Sequence, residues 1–129
     1  MKDITVDELN REYSGAYIST AVFIAEVITL TLLHPNRIAT VVTLSDEGQS
    51  CCEIRYMSLD GDNVNDLVGA RFHHVQVRGV ASTDDGDSEL HEINFVEIVT
   101  DKGGITFSMH NEHNGYYGGI DLTVSVEES

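Results

Sequence analysis

The sequence predicts a mainly β (α+β) domain, either an antiparallel curled sheet or a small sandwich of about seven or eight strands, with one short N-terminal helix. Three observations predict it. From Tyr17 onward apolar residues recur at every second position and are rich in β-branched types. Turn signals built on Gly, Asn, Asp and Pro return about every eight to twelve residues. No stretch has the strand, long helix, strand spacing of a parallel α/β fold.

The elements follow in order. Thr5-Val6-Asp7-Glu8 fits a capping box, with Thr5 as N-cap and Glu8 reaching back to it. Leu9 and Tyr13 then share one helical face, and Gly15 stops the element. Val22, Ile24, Val27, Ile28, Leu30 and Leu32 read as one strand broken by His34-Pro35-Asn36, with residues 38–44 as its hairpin partner. Residues 45–50 form a polar loop. Residues 51–58 alternate, with Cys52, Ile54 and Tyr56 on one face and Cys51, Glu53, Arg55 and Met57 on the other. After a loop at 59–63 comes a helical turn at 65–68 closed by Gly69. A strand at 71–79 sets Phe72, His74 and Gln76 against His73, Val75 and Val77. Residues 81–88 read as an acidic loop, 90–100 and 105–109 as strands joined by a turn at 101–104, and 120–126 as the last strand.

Composition sets limits on function. One domain spanning 1–129, with 41% hydrophobic residues, can bury a real core. Acidic residues outnumber basic ones 22 to 7, for a formal charge of −15, and Lys2 and Lys102 are the only lysines. Such a field repels nucleic acid and anionic membranes and attracts basic partners, although a solubilising surface has the same composition. The most apolar run, 21–33, is too short to span a bilayer and carries Glu26 in its middle, so no membrane segment is expected and the chain reads as cytoplasmic. The adjacent pair Cys51-Cys52 makes no disulfide framework.

The densest polar chemistry lies in residues 110–119, His-Asn-Glu-His-Asn-Gly-Tyr-Tyr-Gly-Gly, where Asn114-Gly115 is a tight-turn signal. His110 and His113, with Cys51-Cys52-Glu53 and His73-His74, supply metal-ligand types, but at spacings that do not make a zinc site, and no metal or other cofactor is expected. Asp60-Gly61-Asp62-Asn63 has its glycine at the second rather than the sixth position of a calcium loop, and no glutamate closes it at the twelfth. Cys51 or Cys52 as a nucleophile has neither an oxyanion hole nor a nucleophile elbow beside it. Phosphate could be held by turn amides and Arg37, Arg55, Arg71 or Arg78, with Tyr116 or Tyr117 stacking on a base. Acidic clusters at Asp60-Asp62-Asp66, Asp84-Asp85-Asp87-Glu89 and Glu127-Glu128 could mimic nucleic acid, although most charge runs are simply solvated.

Four segments carry a resemblance: Gly48 to Met57 (GQSCCEIRYM), Asp66 to Gly69 (DLVG), His91 to Phe95 (HEINF) with Thr100 to Gly103 (TDKG), and His110 to Gly119. In that order they resemble an uncharacterised family of small phage and prophage proteins, a domain of unknown function with Cys-Cys-Glu, Asp-Leu-(Ile/Val)-Gly and Asn-Gly-Tyr-Tyr segments. The resemblance spans a little over half the chain. It implies a bacteriophage origin and an intracellular setting, carries no established activity, and makes counter-defence a prior by analogy.

The expectation is therefore a non-enzymatic bacteriophage accessory protein that acts by binding and counters host defence by engaging a basic host protein through an acidic surface. Glu53, Arg55, His110, Asn111, His113, Asn114, Tyr116 and Tyr117 are the expected binding residues. The alternatives are a sponge for a small signalling nucleotide near the 110–117 turn and, more weakly, a metal-dependent hydrolase. No direct nucleic-acid or membrane binding is expected, and exposed edge strands favour a homo-oligomer.

Overall fold

Alternation of apolar and polar residues lets a strand bury one face, and burial follows that rule closely. Between Val27 and Leu33 the buried residues are Ile28, Leu30 and Leu32. The computed structural model describes residues 2–35, 38–46, 54–59, 61–84, 90–113 and 122–128. The described strands are β1 (Lys2–Ile4), β2 (Tyr17–Ile24), β3 (Val27–Leu33), β4 (Thr40–Asp46), β5 (Ile54–Ser58), β6 (Phe72–Asp84), β7 (Leu90–Thr100), β8 (Gly103–His113) and β9 (Leu122–Glu128). They accompany helix α1 (Val6–Tyr13) and a 3-10 turn at Val64–Leu67.

The strands form two antiparallel sheets, ordered β1-β9-β4-β3-β2 and β5-β8-β7-β6. One core joins them, with Ile28, Leu30, Val42, Leu44 and Val124 from the first sheet and Val96, Ile98, Phe107 and Met109 from the second. Phe23 meets Phe107 edge-on across it at 5.3 Å. Of the two architectures expected, the sandwich is the one formed. Among the described residues no helix is long and apolar enough to cross a membrane.

Local signals set the short elements. Thr5 and Glu8 form the reciprocal capping box, Leu9 and Tyr13 are buried, and Gly15 and Gly69 take the positive φ values that end their elements.

Several boundaries differ from expectation, each for a physical reason. The apolar run after Tyr17 is two strands, β2 and β3, joined by a two-residue turn at Ala25-Glu26. Both turn residues have positive φ (53° and 62°), the geometry that matches strand twist in a tight hairpin but is usually carried by Asn-Gly. β1 was not foreseen, because three residues are too few to show a period; its pairing with β9 places it. Residues 45 and 46 continue β4 rather than opening a loop, and 81–84 continue β6. β6 shifts register between Phe72 and His74 and again between Arg78 and Val80, so Phe72 and Val75 are both buried although simple alternation sets them on opposite faces. β8 runs on to His113, so 110–113 is strand and not turn. The Asn114-Gly115 turn signal lies outside the described residues.

Because alanine in the left-handed region costs about 1–2 kcal/mol where asparagine is tolerated, Ala25→Asn should stabilise the protein by about 0.5–1 kcal/mol. A urea midpoint that stays put or falls would show that the turn does not hold this conformation in solution.

Candidate functional site

At one end of the sandwich the inward faces of both sheets turn from apolar to polar. β4 ends there at Asp46, opposite Leu122 of β9. Arg55 and Asn111 are paired across β5 and β8, and Asn111 pairs Glu92 of β7 in the next register. Alternation puts Arg55 on the same inward face as the buried Met57. Its guanidinium reaches across to Asp46, with Nη1 donating to both carboxylate oxygens at 3.0 and 3.2 Å. The side chains are only 10% and 9% exposed, which makes this a nearly dry ion pair tying one sheet to the other.

Glu26, from the left-handed turn, completes the corner. Its Oε1 accepts a 2.8 Å hydrogen bond from the backbone N–H of Met57 on edge strand β5. Glu26, Asp46, Arg55, Tyr56 and Met57 surround a cavity of about 30 Å³, room for one ordered water rather than a metabolite. Asn94, one register step deeper, is 7% exposed, and its Nδ2 meets no partner among the described residues. On the outer face of the same sheet Tyr56 stacks on His110, rings 4.3 Å apart and nearly parallel, and His110 Nε2 lies 2.9 Å from Ser58 Oγ.

The expected binding residues are thus divided. Arg55 and Asn111 come together inside the sandwich mouth, and His110 lies on the opposite face of β8. His113 is placed by its backbone at the end of β8. Glu53, Asn114, Tyr116 and Tyr117, together with Cys51 and Cys52, lie outside the described residues. Sequence reasoning missed Asp46 and Glu26. Asp46 sat in an assumed loop, but Glu26 was a visible clue, since a lone carboxylate interrupting an apolar run marks a turn.

The other candidate ligand groups are local. His73 and His74 face each other, Nδ1 to Nδ1 at 2.6 Å. Among the described residues no three His, Cys, Asp or Glu side chains converge as a metal site. Arg71 donates to the Gly15 carbonyl at 3.2 Å, and Arg78 lies 3.8 Å from Glu97.

At the opposite end α1 and strands β1 and β9 frame a cleft of about 390 Å³, lined by Lys2, Ile4, Glu12, Tyr13, Val126, Glu127 and Glu128. Three carboxylates face one ammonium there. Glu12, Glu127 and Glu128 are all exposed, while Tyr13 and Val126 form an apolar floor.

By fold and site this is an antiparallel two-sheet β-sandwich with a polar mouth closed by a buried ion pair. The chain belongs to the family described as a domain of unknown function (DUF7448), which it matches over residues 25–122. That span contains Glu26, Asp46, Arg55, His110 and Asn111, whereas the residues lining the acidic cleft all lie outside it. Comparisons with curated proteins and with solved structures return no match.

Proposed function

We propose that the protein is a non-enzymatic binding protein that docks a basic protein surface on its own carboxylates. The observation that carries this reading is the cleft beside α1, where Glu12, Glu127 and Glu128 ring an apolar floor in a chain of formal charge −15. A lysine or arginine side chain suits such a cleft, because its aliphatic stem can lie on Ile4 and Val126 while its charge meets the carboxylates. The nucleotide-sponge alternative gains less support, because the mouth cavity is water-sized and Arg55 already holds Asp46. In the fuller form of the proposal the chain is a bacteriophage accessory protein, and the basic surface belongs to a host defence protein. That part rests on the resemblance of its segments to phage and prophage proteins.

A lysine- and arginine-rich peptide should bind, and a glutamate-rich one should not, in calorimetry at low salt. The affinity should collapse between about 50 and 500 mM salt as screening shortens the reach of the carboxylates. Glu127→Gln with Glu128→Gln should weaken binding about tenfold, while Asp62→Asn with Asp66→Asn, which removes the same charge elsewhere, should leave it within about twofold. Equal losses in the two variants would show that only net charge matters and would remove the cleft from the proposal. Unchanged phage plating when the gene is expressed in immune hosts would sink the counter-defence role alone.

A further inference from the structure

In a regular strand neighbouring side chains point to opposite faces, so two adjacent histidines cannot meet. His73 and His74 do meet. The register of β6 on β7 passes from Phe72 opposite Thr100 to His74 opposite Val99, which leaves His73 as the extra residue of a β-bulge. Phe72 and Val75 are both buried, and the two histidines between them are left outside, His73 exposed and His74 half-buried. Their Nδ1 atoms converge to 2.6 Å, with the ring planes 71° apart. Plain alternation, which sets the two imidazoles on opposite faces, fails at the bulge.

The backbone on both sides of the pair is pinned. Phe72 accepts from the Gly15 N–H and donates to the Ala16 carbonyl, both at 2.7 Å. Val75 is held by Asn10, which accepts from its N–H at 2.7 Å and donates to its carbonyl at 2.9 Å. Two imidazoles held by so fixed a backbone lose little entropy in gripping a third body. Between them one Nδ1 carries a proton and the other supplies the lone pair. When that proton moves to Nε2 of its own ring, two lone pairs face one point. Arg71, the neighbouring cation in the chain, donates to the Gly15 carbonyl at 3.2 Å, and the formal charge of −15 draws cations to the surface as a whole.

The separation of the nitrogens indicates which cation suits them. Metal–nitrogen bonds of about 2.0 Å at right angles set two donor nitrogens about 2.8 Å apart, whereas a tetrahedral ion sets them about 3.3 Å apart. The 2.6 Å between His73 and His74 lies closer to the first. A tetragonal ion with nitrogen and oxygen ligands is copper(II) or nickel(II), and copper(II) binds such donors more tightly.

We infer that the bulge of β6 is a surface chelate for a tetragonal divalent metal, copper(II) above all, held by Nδ1 of His73 and Nδ1 of His74. No third His, Cys, Asp or Glu converges there among the described residues, so water completes the coordination. Neither histidine lines the acidic cleft, and the site is independent of the docking proposed for it.

The test takes the metal-free full chain without an affinity tag, with Cys51 and Cys52 carbamidomethylated so that their thiols neither bind nor reduce the metal. Copper(II) titrated in a non-chelating buffer should bind at about one equivalent, and its electron paramagnetic resonance spectrum should be tetragonal with hyperfine structure from two nitrogens. His73→Gln and His74→Gln should each weaken binding at least about tenfold, because a single donor remains. Asp62→Asn with Asp66→Asn, which lowers the negative field without touching the pair, should leave binding within about twofold. Peptide mapping provides a readout that needs no substitution: copper should shield both histidines from carbethoxylation by diethyl pyrocarbonate. Failure to bind copper, equal binding by both glutamine variants, a spectrum without nitrogen hyperfine structure, or histidines modified equally with and without metal would each overturn the inference. So would zinc(II) held more tightly than copper(II), since the pair would then not impose a tetragonal geometry.

Discussion

Asp46→Ala should destabilise the protein by about 3 kcal/mol, more than most single substitutions, because it takes the Asp46 carboxylate away from a guanidinium that is charged and nearly dry. At this chain length that is a fall in melting temperature of roughly 10 °C. Asp46→Ala combined with Arg55→Met should recover most of the loss, since removing both charges also removes the cost of keeping them from water, and the methionine stem can follow the path of the arginine. A surface pair would behave otherwise, with single and double variants all within about 1 kcal/mol of wild type. If the double variant is no better than Asp46→Ala alone, the lost stability comes from some other role of these residues at the mouth and not from the broken ion pair.

Asn10→Ala should cost about 2 kcal/mol, because two hydrogen bonds are lost and the backbone N–H and C=O of Val75, a residue 1% exposed, lose their partners. Asn10→Asp separates the two halves of the clamp. A carboxylate can still accept from the Val75 N–H but repels its carbonyl, so this variant should also be destabilised at neutral pH. It should regain stability in acid, where a protonated carboxyl can donate again. Faster exchange of the Val75 amide in Asn10→Ala would confirm that the clamp holds the β6 edge; unchanged exchange would refute it. Loss of the clamp also bares strand edge, so aggregation on heating should increase.

These residues show where sequence reading succeeds. The capping box at Thr5-Glu8, the buried pair Leu9 and Tyr13, the stops at Gly15 and Gly69, and the extent of β7 were all legible, because each depends on neighbours within a few positions. The two faces of β5 were legible too, since alternation alone puts Arg55 with Met57, but which face turns inward was not. What Arg55 touches was not, because Asp46 comes from the other sheet. Asn10 looked like one more polar residue on a helix, and its target lies 65 positions away.

The amino-acid order by itself determined that this chain is an antiparallel β protein with one short helix and a heavily acidic surface, because period, caps and charge are written locally. Only the tertiary structure decided that the sheets pack as a sandwich, that Arg55 meets Asp46 and that 110–113 is strand. Those outcomes depend on which strands pair and which faces meet, and such pairings are fixed by burial and register between residues far apart in the chain, which no local pattern encodes.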